Sequence, residues 1–282
     1  MAQTERTRRM AARGSSRTIT RSVRRARRWL VVTPVALLAL VGSLLLAAAN
    51  SDTDGMLGGA HGPDSSVLEP AGDGSGVGDG GSIPFPEAVT GKTAAEVLAL
   101  IPTKGKAPKT GYNRTGVFGE AWSDVDHNGC DTRNDILARD LTNTVAPNGC
   151  KIITGTLADP YTGRTIDFVR GDKTSPLVQI DHVVALSNAW QTGAQQLSDA
   201  QRLLLANDPL NLLAVDGPTN NQKGDADAAA WLPPAKASRC DYVARQVSVK
   251  AIYGLWVTEA ERDAIDRVLA GCQGQPALES GL

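Results

Sequence analysis

Asp181 and His182 stand side by side at the end of a short apolar run, Leu177 to Ile180, and Asn220-Asn221-Gln222-Lys223-Gly224-Asp225 follows downstream. In a strand, neighbouring side chains project to opposite faces. One of the pair can then bind a cation while the other faces a substrate. Hydrolysis of a phosphodiester calls for such a set: an activated water, a Lewis acid on the phosphate and stabilisation of the developing charge. A neutral His can take the water's proton near pH 7. Oxygen ligands from Asp and Asn suit a hard ion such as Mg²⁺ and leave positions for water and phosphate. A helix N-terminus and a nearby Lys would favour the anion. On its own the dipeptide fits a buried, hydrogen-bonded strand-end histidine better, and the downstream segment is what gives it weight. The other histidines are His61 and His127; His61 lies in a stretch without fold signals and His127 in an Asp-rich loop.

The elements around these residues follow from local pattern. Lys151–Leu157 and Arg164–Val169 read as strands, and the turn residues Asp159-Pro160-Tyr161-Thr162-Gly163 between them make a hairpin. Leu177–Ile180 and Leu210–Val215 read as two more strands. Thr93/Glu96 is a capping box opening a helix through Ile101, and Ser198/Gln201 opens one through about Ala206. Asp216-Gly217-Pro218 turns, and Thr219 to Trp231 reads as a helix stopped by Pro233-Pro234. A helix from about Asp241 to Tyr253 and one opened by Thr258/Glu261 complete the chain.

The chain has 282 residues and a formal net charge of −1. That balance hides a basic head, with ten Arg and one acid in the first 30 residues. The head runs into an apolar stretch, Trp29 to Ala49, ending in three alanines. Residues 1–50 read as a secretory signal or, since 29–49 could span a bilayer, a retained membrane anchor. Either places the remainder outside the cytoplasm, secreted or held at the cell membrane. Residues 51–82, rich in Gly, Asp and Ser, read as a disordered tether. Residues 83–282 read as one domain. From residue 83 the chain has 23 acids against 19 bases, so no strong basic field draws polyanions in. The four cysteines, Cys130, Cys150, Cys240 and Cys272, all follow the export segment, and none has the Cys-x-x-Cys spacing of a zinc site. Four cysteines permit three pairings; the sequence-local one, Cys130–Cys150 with Cys240–Cys272, is expected, and the second bridge would pin an antiparallel helix pair. Each such loop stabilises by about 3 kcal/mol in the chain-entropy description.

Strand, turn, strand and helix, with Asp-His ending the first strand and Asn-x-x-Lys at the helix, is the layout of a ββα-metal nuclease site. From about Trp122 to Cys272 the chain resembles the secreted HNH endonuclease-family proteins of actinobacteria, which share the GmrSD-type HNH domain. The residues carrying the resemblance are Asp131-Thr-Arg133, Asp159-Pro-Tyr161-Thr-Gly163, Ile180 to Leu186 and Ala206-Asn-Asp208. It continues through Asn211 to Val215, Asn220 to Asp225, Trp231-Leu-Pro-Pro234 and Lys250. The resemblance implies an α+β fold with a ββα-metal core, flanking helices and a β-hairpin. It implies cleavage of nucleic acid, DNA more readily than RNA, with His182 as general base and Asp181 as metal ligand. Asn211 would brace the loop between the strands. Asn220 would be the second metal ligand, with Asn221 as rival if the register slips by one. An Asn in place of a final His favours Mg²⁺, or a related divalent ion such as Mn²⁺, over a tight transition-metal site. A surface-tethered binding module keeping the fold without catalysis is the alternative, and a metallohydrolase with another substrate a third; no His-Glu-x-x-His is present. No protein partner can be inferred, and contact with a membrane is expected only through the N-terminal segment.

Other residues invite narrower readings. Lys223 and Arg133, and less so Arg139, could bind phosphate; a solvated helix charge and surface ion pairs are the plain alternatives. Asp208 could orient His182 or cap a turn before Pro209. Trp122, Trp190, Trp231 and Trp256 read as core. Asp124-Val-Asp126-His-Asn128-Gly129 begins like a calcium loop, with Asp135 at the twelfth position where Glu is usual. An Asx-rich turn is the competing reading for the Asp124–Asp135 loop, with Ca²⁺ as its ligand otherwise.

Overall fold

Alternation along two short strands organises everything around the Asp-His pair. In the computed structural model, which describes residues 81–282, Val178–His182 (β4) pairs antiparallel with Leu212–Asp216 (β5), His182 facing Leu212 and Asp181 facing Leu213. Val178, Ile180, Leu212 and Ala214 point into one core, with Ile136, Leu137, Leu157 and Phe168. Leu213 and Val215 point into a second, larger core built from helices. The ribbon is therefore covered on both faces, as the apolar run Leu212-Leu213-Ala214-Val215 of β5 requires. The export segment and nearly all of the tether lie outside the described residues. Among the described residues no helix is long and apolar enough to cross a membrane. Mixed helices and small sheets make the fold α+β.

The smaller core is closed by a helix the sequence reading missed and by the hairpin it found. Thr132–Asp140 (α3) starts at Asp131, whose carboxylate accepts from Asn134 N at 2.9 Å. Leu141–Val145 (β1) follows at once and extends the hairpin of Thr154–Ala158 (β2) and Thr165–Val169 (β3) into a sheet ordered β1-β2-β3. Asp159 holds the hairpin turn, accepting from Thr162 N at 2.8 Å, and ties it to the ribbon by accepting from Asp216 N at 3.0 Å.

The larger core joins Ala94–Leu100 (α1), Leu186–Gln191 (α4), Asp199–Asn207 (α5), Arg239–Ile252 (α7) and Glu259–Leu269 (α8). All three capping boxes read from the sequence form, at Thr93, Ser198 and Thr258. Both sequence-local disulfides are present, with Cα–Cα distances of 5.3 Å for Cys130–Cys150 and 5.8 Å for Cys240–Cys272. The second joins the first turn of α7 to the residues just after α8. Lys250 and Glu261 form an ion pair at 2.8 Å with neither side chain exposed, linking the same two helices.

The helix after β5 differs from expectation. It runs Gly217–Lys223 (α6), not Thr219 to Trp231. It begins directly at the strand end, where a Cβ on Gly217 would meet the Pro176 carbonyl at 2.1 Å. It ends at Gly224, whose φ of +56° breaks the helical path. Asp227 then organises a separate turn, accepting from Ala229 N at 3.1 Å.

Candidate active site

A cavity of about 350 Å³ opens where the end of β4, the start of α4 and the outer face of α6 meet. Its fourth wall is the segment Tyr112-Asn113-Arg114, which leads into the short helix Arg114–Phe118 (α2). Asp181, His182, Asn220, Asn221 and Asp225 all line it.

His182 is 7% exposed. Its Nε2 lies 2.8 Å from the Ala206 carbonyl, which can only accept, so Nε2 carries the proton and Nδ1 keeps its lone pair. Nδ1 lies 3.3 Å from an Arg114 guanidinium nitrogen. Burial first, and the Arg114 charge second, push the imidazole down to about 3, so it is neutral at pH 7. The Trp122 ring stacks beside it at 6.2 Å and 23°. Trp122 has φ +65°, an uncommon backbone conformation for so bulky a residue. As the core reading expects, Trp122 packs against the smaller core, half-buried, and it also borders the imidazole.

Asp181 points to the opposite face, toward the helices. Its carboxylate accepts from Lys223 Nζ at 3.0 and 2.9 Å and from the Tyr161 hydroxyl. Burial raises its pKa in spite of the neighbouring Lys223. Burial and Asp181 together push the Tyr161 phenol well up, so that it stays a donor.

Lys223 departs from both readings made of it. It is neither solvated nor placed at the surface to meet a phosphate. It is 2% exposed, and its remaining contact is the His182 carbonyl at 2.8 Å. The helix also runs the other way from expectation. Asp216 faces Val178 at the far end of β4, so the N-terminus of α6 lies away from Asp181 and His182, and its C-terminal turn reaches them. The N-terminal donor of Thr219 is already taken by Asp216 at 2.8 Å. The N-terminus of α6 is therefore not at the site to attract an anion.

Asn211 is fully buried. It donates to the carbonyls of Leu205 at 3.2 Å and Val184 at 3.3 Å and accepts from Val184 N at 2.8 Å. It thereby clamps the turn after β4 to α5. Asn220 donates to Gln179 Oε1 at 2.9 Å, on the same face of β4 as Asp181, and its own amide oxygen has no partner among the described residues. Asn221 is exposed on the cavity's rim. Asp225 accepts from Ser187 at 3.0 Å, and that hydrogen bond holds its carboxyl below the usual range.

Other candidates lie elsewhere. Arg133 is not in the cavity wall; it donates to the Val178 carbonyl at 3.3 Å. Arg139 is spent on Asp140 and on the carbonyls of Pro209 and Leu212. Asp208 does not touch His182; it accepts from Leu210 N at 2.8 Å and from the Tyr253 and Ser280 hydroxyls at 2.9 Å. In the Asp124–Asp135 loop, Asp124 and Asp126 accept from the backbone of Asn128 and Gly129, and Asp131 caps α3. Two site residues were missed. Tyr161 belongs to a turn motif that gives no hint of a carboxylate partner, and Arg114, 68 residues before His182, stands in a stretch with no signal at all.

Among the described residues no group of three His, Cys, Asp or Glu side chains converges. A carboxylate offers about four lone-pair sites; Lys223 and Tyr161 take three of those on Asp181. The donors left, one Asp181 position and the Asn220 amide oxygen, are oxygens, the ligand type that a hard cation such as Mg²⁺ takes.

Residues 131–268 match the family described as GmrSD restriction endonucleases, C-terminal domain. An "Uncharacterized secreted protein" of the fungus Arthroderma benhamiae is 34% identical over 189 residues, which cover 66% of this chain and 88% of that protein. No solved structure matches. The chain belongs to the same family as this fungal secreted protein, and its residues 131–268 are similar to the GmrSD C-terminal domain.

Proposed function

We propose that the protein is an exported, metal-dependent endonuclease of the HNH type that hydrolyses phosphodiester bonds in nucleic acid, with DNA the preferred substrate. The observation that carries this reading is the committed tautomer of His182. Its Nε2 is bound to the Ala206 carbonyl, its Nδ1 keeps a lone pair beside Arg114, and the ring lines a cavity with Asp181 and Asn220. The match to a restriction-endonuclease domain supports a nucleic-acid substrate, and the secreted relative supports export.

In this mechanism Nδ1 of His182 takes a proton from the attacking water. The Ala206 carbonyl keeps the ring oriented and stabilises the imidazolium that results. Asp181 and Asn220 would hold the divalent ion, Mg²⁺ or Mn²⁺, which when bound polarises the phosphate and offsets charge on the leaving oxygen. Tyr161 and Lys223 fix the Asp181 carboxylate in place. Asn211 holds the turn that follows His182.

The test is incubation of the exported protein with supercoiled plasmid and with RNA, each with Mg²⁺, with Mn²⁺ and with chelator, beside His182→Ala. Cleavage should need the metal and fall at least 100-fold in the variant. Cleavage that survives His182→Ala removes this mechanism. No cleavage with any metal favours a binding module with the same fold.

A further inference from the structure

We infer that Arg114 is the residue that receives the substrate's phosphate, and that until a phosphate arrives its guanidinium covers the Nδ1 lone pair of His182. The inference rests on the nuclease reading above and adds to it a control step at the same site.

Three observations lead there. Nε2 of His182 is a committed donor to Ala206, so the ring nitrogen facing Arg114 is an acceptor. A guanidinium has donors only. The 3.3 Å contact is therefore an Arg114 N–H directed at the lone pair that must take the water's proton. Next, Arg114 lacks an ion-pair partner among the described residues, whereas the cavity's carboxylates are already paired, Asp181 with Lys223 and Asp225 with Lys109. Among the described residues its side-chain hydrogen bond uses one terminal nitrogen, and the rest of the fork has no partner. Finally, Arg114 is exposed, and it lines both the cavity and the adjoining crevice beside Trp122, so an anion entering from solvent reaches it before it reaches His182.

A neutral imidazole is a weak partner for a guanidinium. A phosphate offers two oxygens in the geometry the fork prefers, with charge-assisted bonds roughly twice as strong. Phosphate binding therefore draws Arg114 off Nδ1, and the base is uncovered only when there is a phosphate beside it. No proton or covalent bond changes hands in this step; one hydrogen bond is exchanged for a stronger pair.

The experiment uses the full chain in chelator, with inorganic phosphate as the probe. Phosphate binding is followed by the ¹⁵N signals of the histidine side chains. The chain has three histidines, and His182→Ala assigns the relevant one. In the wild type, the Nδ1 signal of His182 should move saturably as phosphate is added. In Arg114→Met the signal should begin at the uncovered position and stay there, with phosphate binding weakened at least tenfold, as expected for loss of a charged hydrogen-bonding partner. Arg114→Lys should retain part of the binding. His182→Ala should bind phosphate at least as tightly as the wild type, because nothing then competes for Arg114. An Arg114→Met protein that binds phosphate like the wild type overturns the inference, as does a wild-type Nδ1 signal that is unmoved at saturating phosphate. The readout needs neither metal nor cleavage. A protein that cuts nucleic acid but shows no Nδ1 response refutes the inference alone. One that shows the response but cuts nothing refutes the nuclease reading alone.

Discussion

Replacing Lys223 by Met removes the cation that faces Asp181 from inside the protein. The two side chains are 0% and 7% exposed and 2.9 Å apart, so solvent can do little to screen the loss. Deleting one partner of a buried ion pair typically costs about 3–5 kcal/mol, because the other charge stays buried without compensation. The lost bond to the His182 carbonyl adds about 1 kcal/mol, and the apolar Met chain, similar in volume, returns some packing. The protein's own escape is to protonate Asp181. Burial already raises that pKa with Lys223 present, and losing Lys223 raises it further. A carboxyl whose folded pKa lies above its unfolded value contributes stability at acid pH and loses it as pH rises through the folded value. The cost of Lys223→Met is therefore smallest near pH 4 and largest at neutral pH and above. Urea denaturation in chelator gives the measurement. With a slope of about 2 kcal/mol/M, the midpoint at pH 8 should drop by about 2 M. Asp181→Asn combined with Lys223→Met should recover much of the loss, giving a coupling energy of about 2 kcal/mol or more. A single-variant cost below about 1 kcal/mol at pH 8, additive with Asp181→Asn, would refute the buried pair and return Lys223 to solvent.

Tyr161→Phe removes one hydrogen bond to Asp181 and leaves the ring packing against Trp231 and Tyr242 in place. It should cost about 1–2 kcal/mol in the same urea assay and lower metal-dependent cleavage more than it changes substrate binding. Lys250→Met should destabilise by about 3–5 kcal/mol at neutral pH, since Glu261 is left buried and charged, while cleavage by the folded fraction is unaffected. Replacing Cys240 and Cys272 together by Ser should lower stability by about 3 kcal/mol in thermal or urea unfolding, with peptide mapping of the parent showing Cys130–Cys150 and Cys240–Cys272.

What could be read from the sequence was the part written in local pattern. The capping boxes at Thr93, Ser198 and Thr258 each need only four consecutive residues, and all three form. The Asp159–Gly163 turn chemistry fixed the β2–β3 hairpin, and alternation through Ile180-Asp181-His182 set the two side chains on opposite faces. The local pairing of cysteines also emerged, because short loops close most readily. Missed were α3 and β1, where Asp131-Thr-Arg133 was noticed as a motif and not as a helix start, although an Asp cap was there to see.

The errors at the site have a common physical origin: they concern how distant segments lie against each other. Lys223 looked like a solvated or phosphate-facing charge because a Lys on a short polar helix usually is one. Its fate was decided by the ribbon's register instead. With Asp216 opposite Val178, α6 has to run back along β4, and its last turn, not its first, arrives at Asp181. A cation at that turn meets a buried carboxylate, and burial makes the pairing nearly obligatory. The same reversal removes the helix N-terminus as an anion site and leaves positive charge near His182 to come from another part of the chain. Arg114 supplies it from a segment that no periodicity, cap or motif connects to the strand it serves.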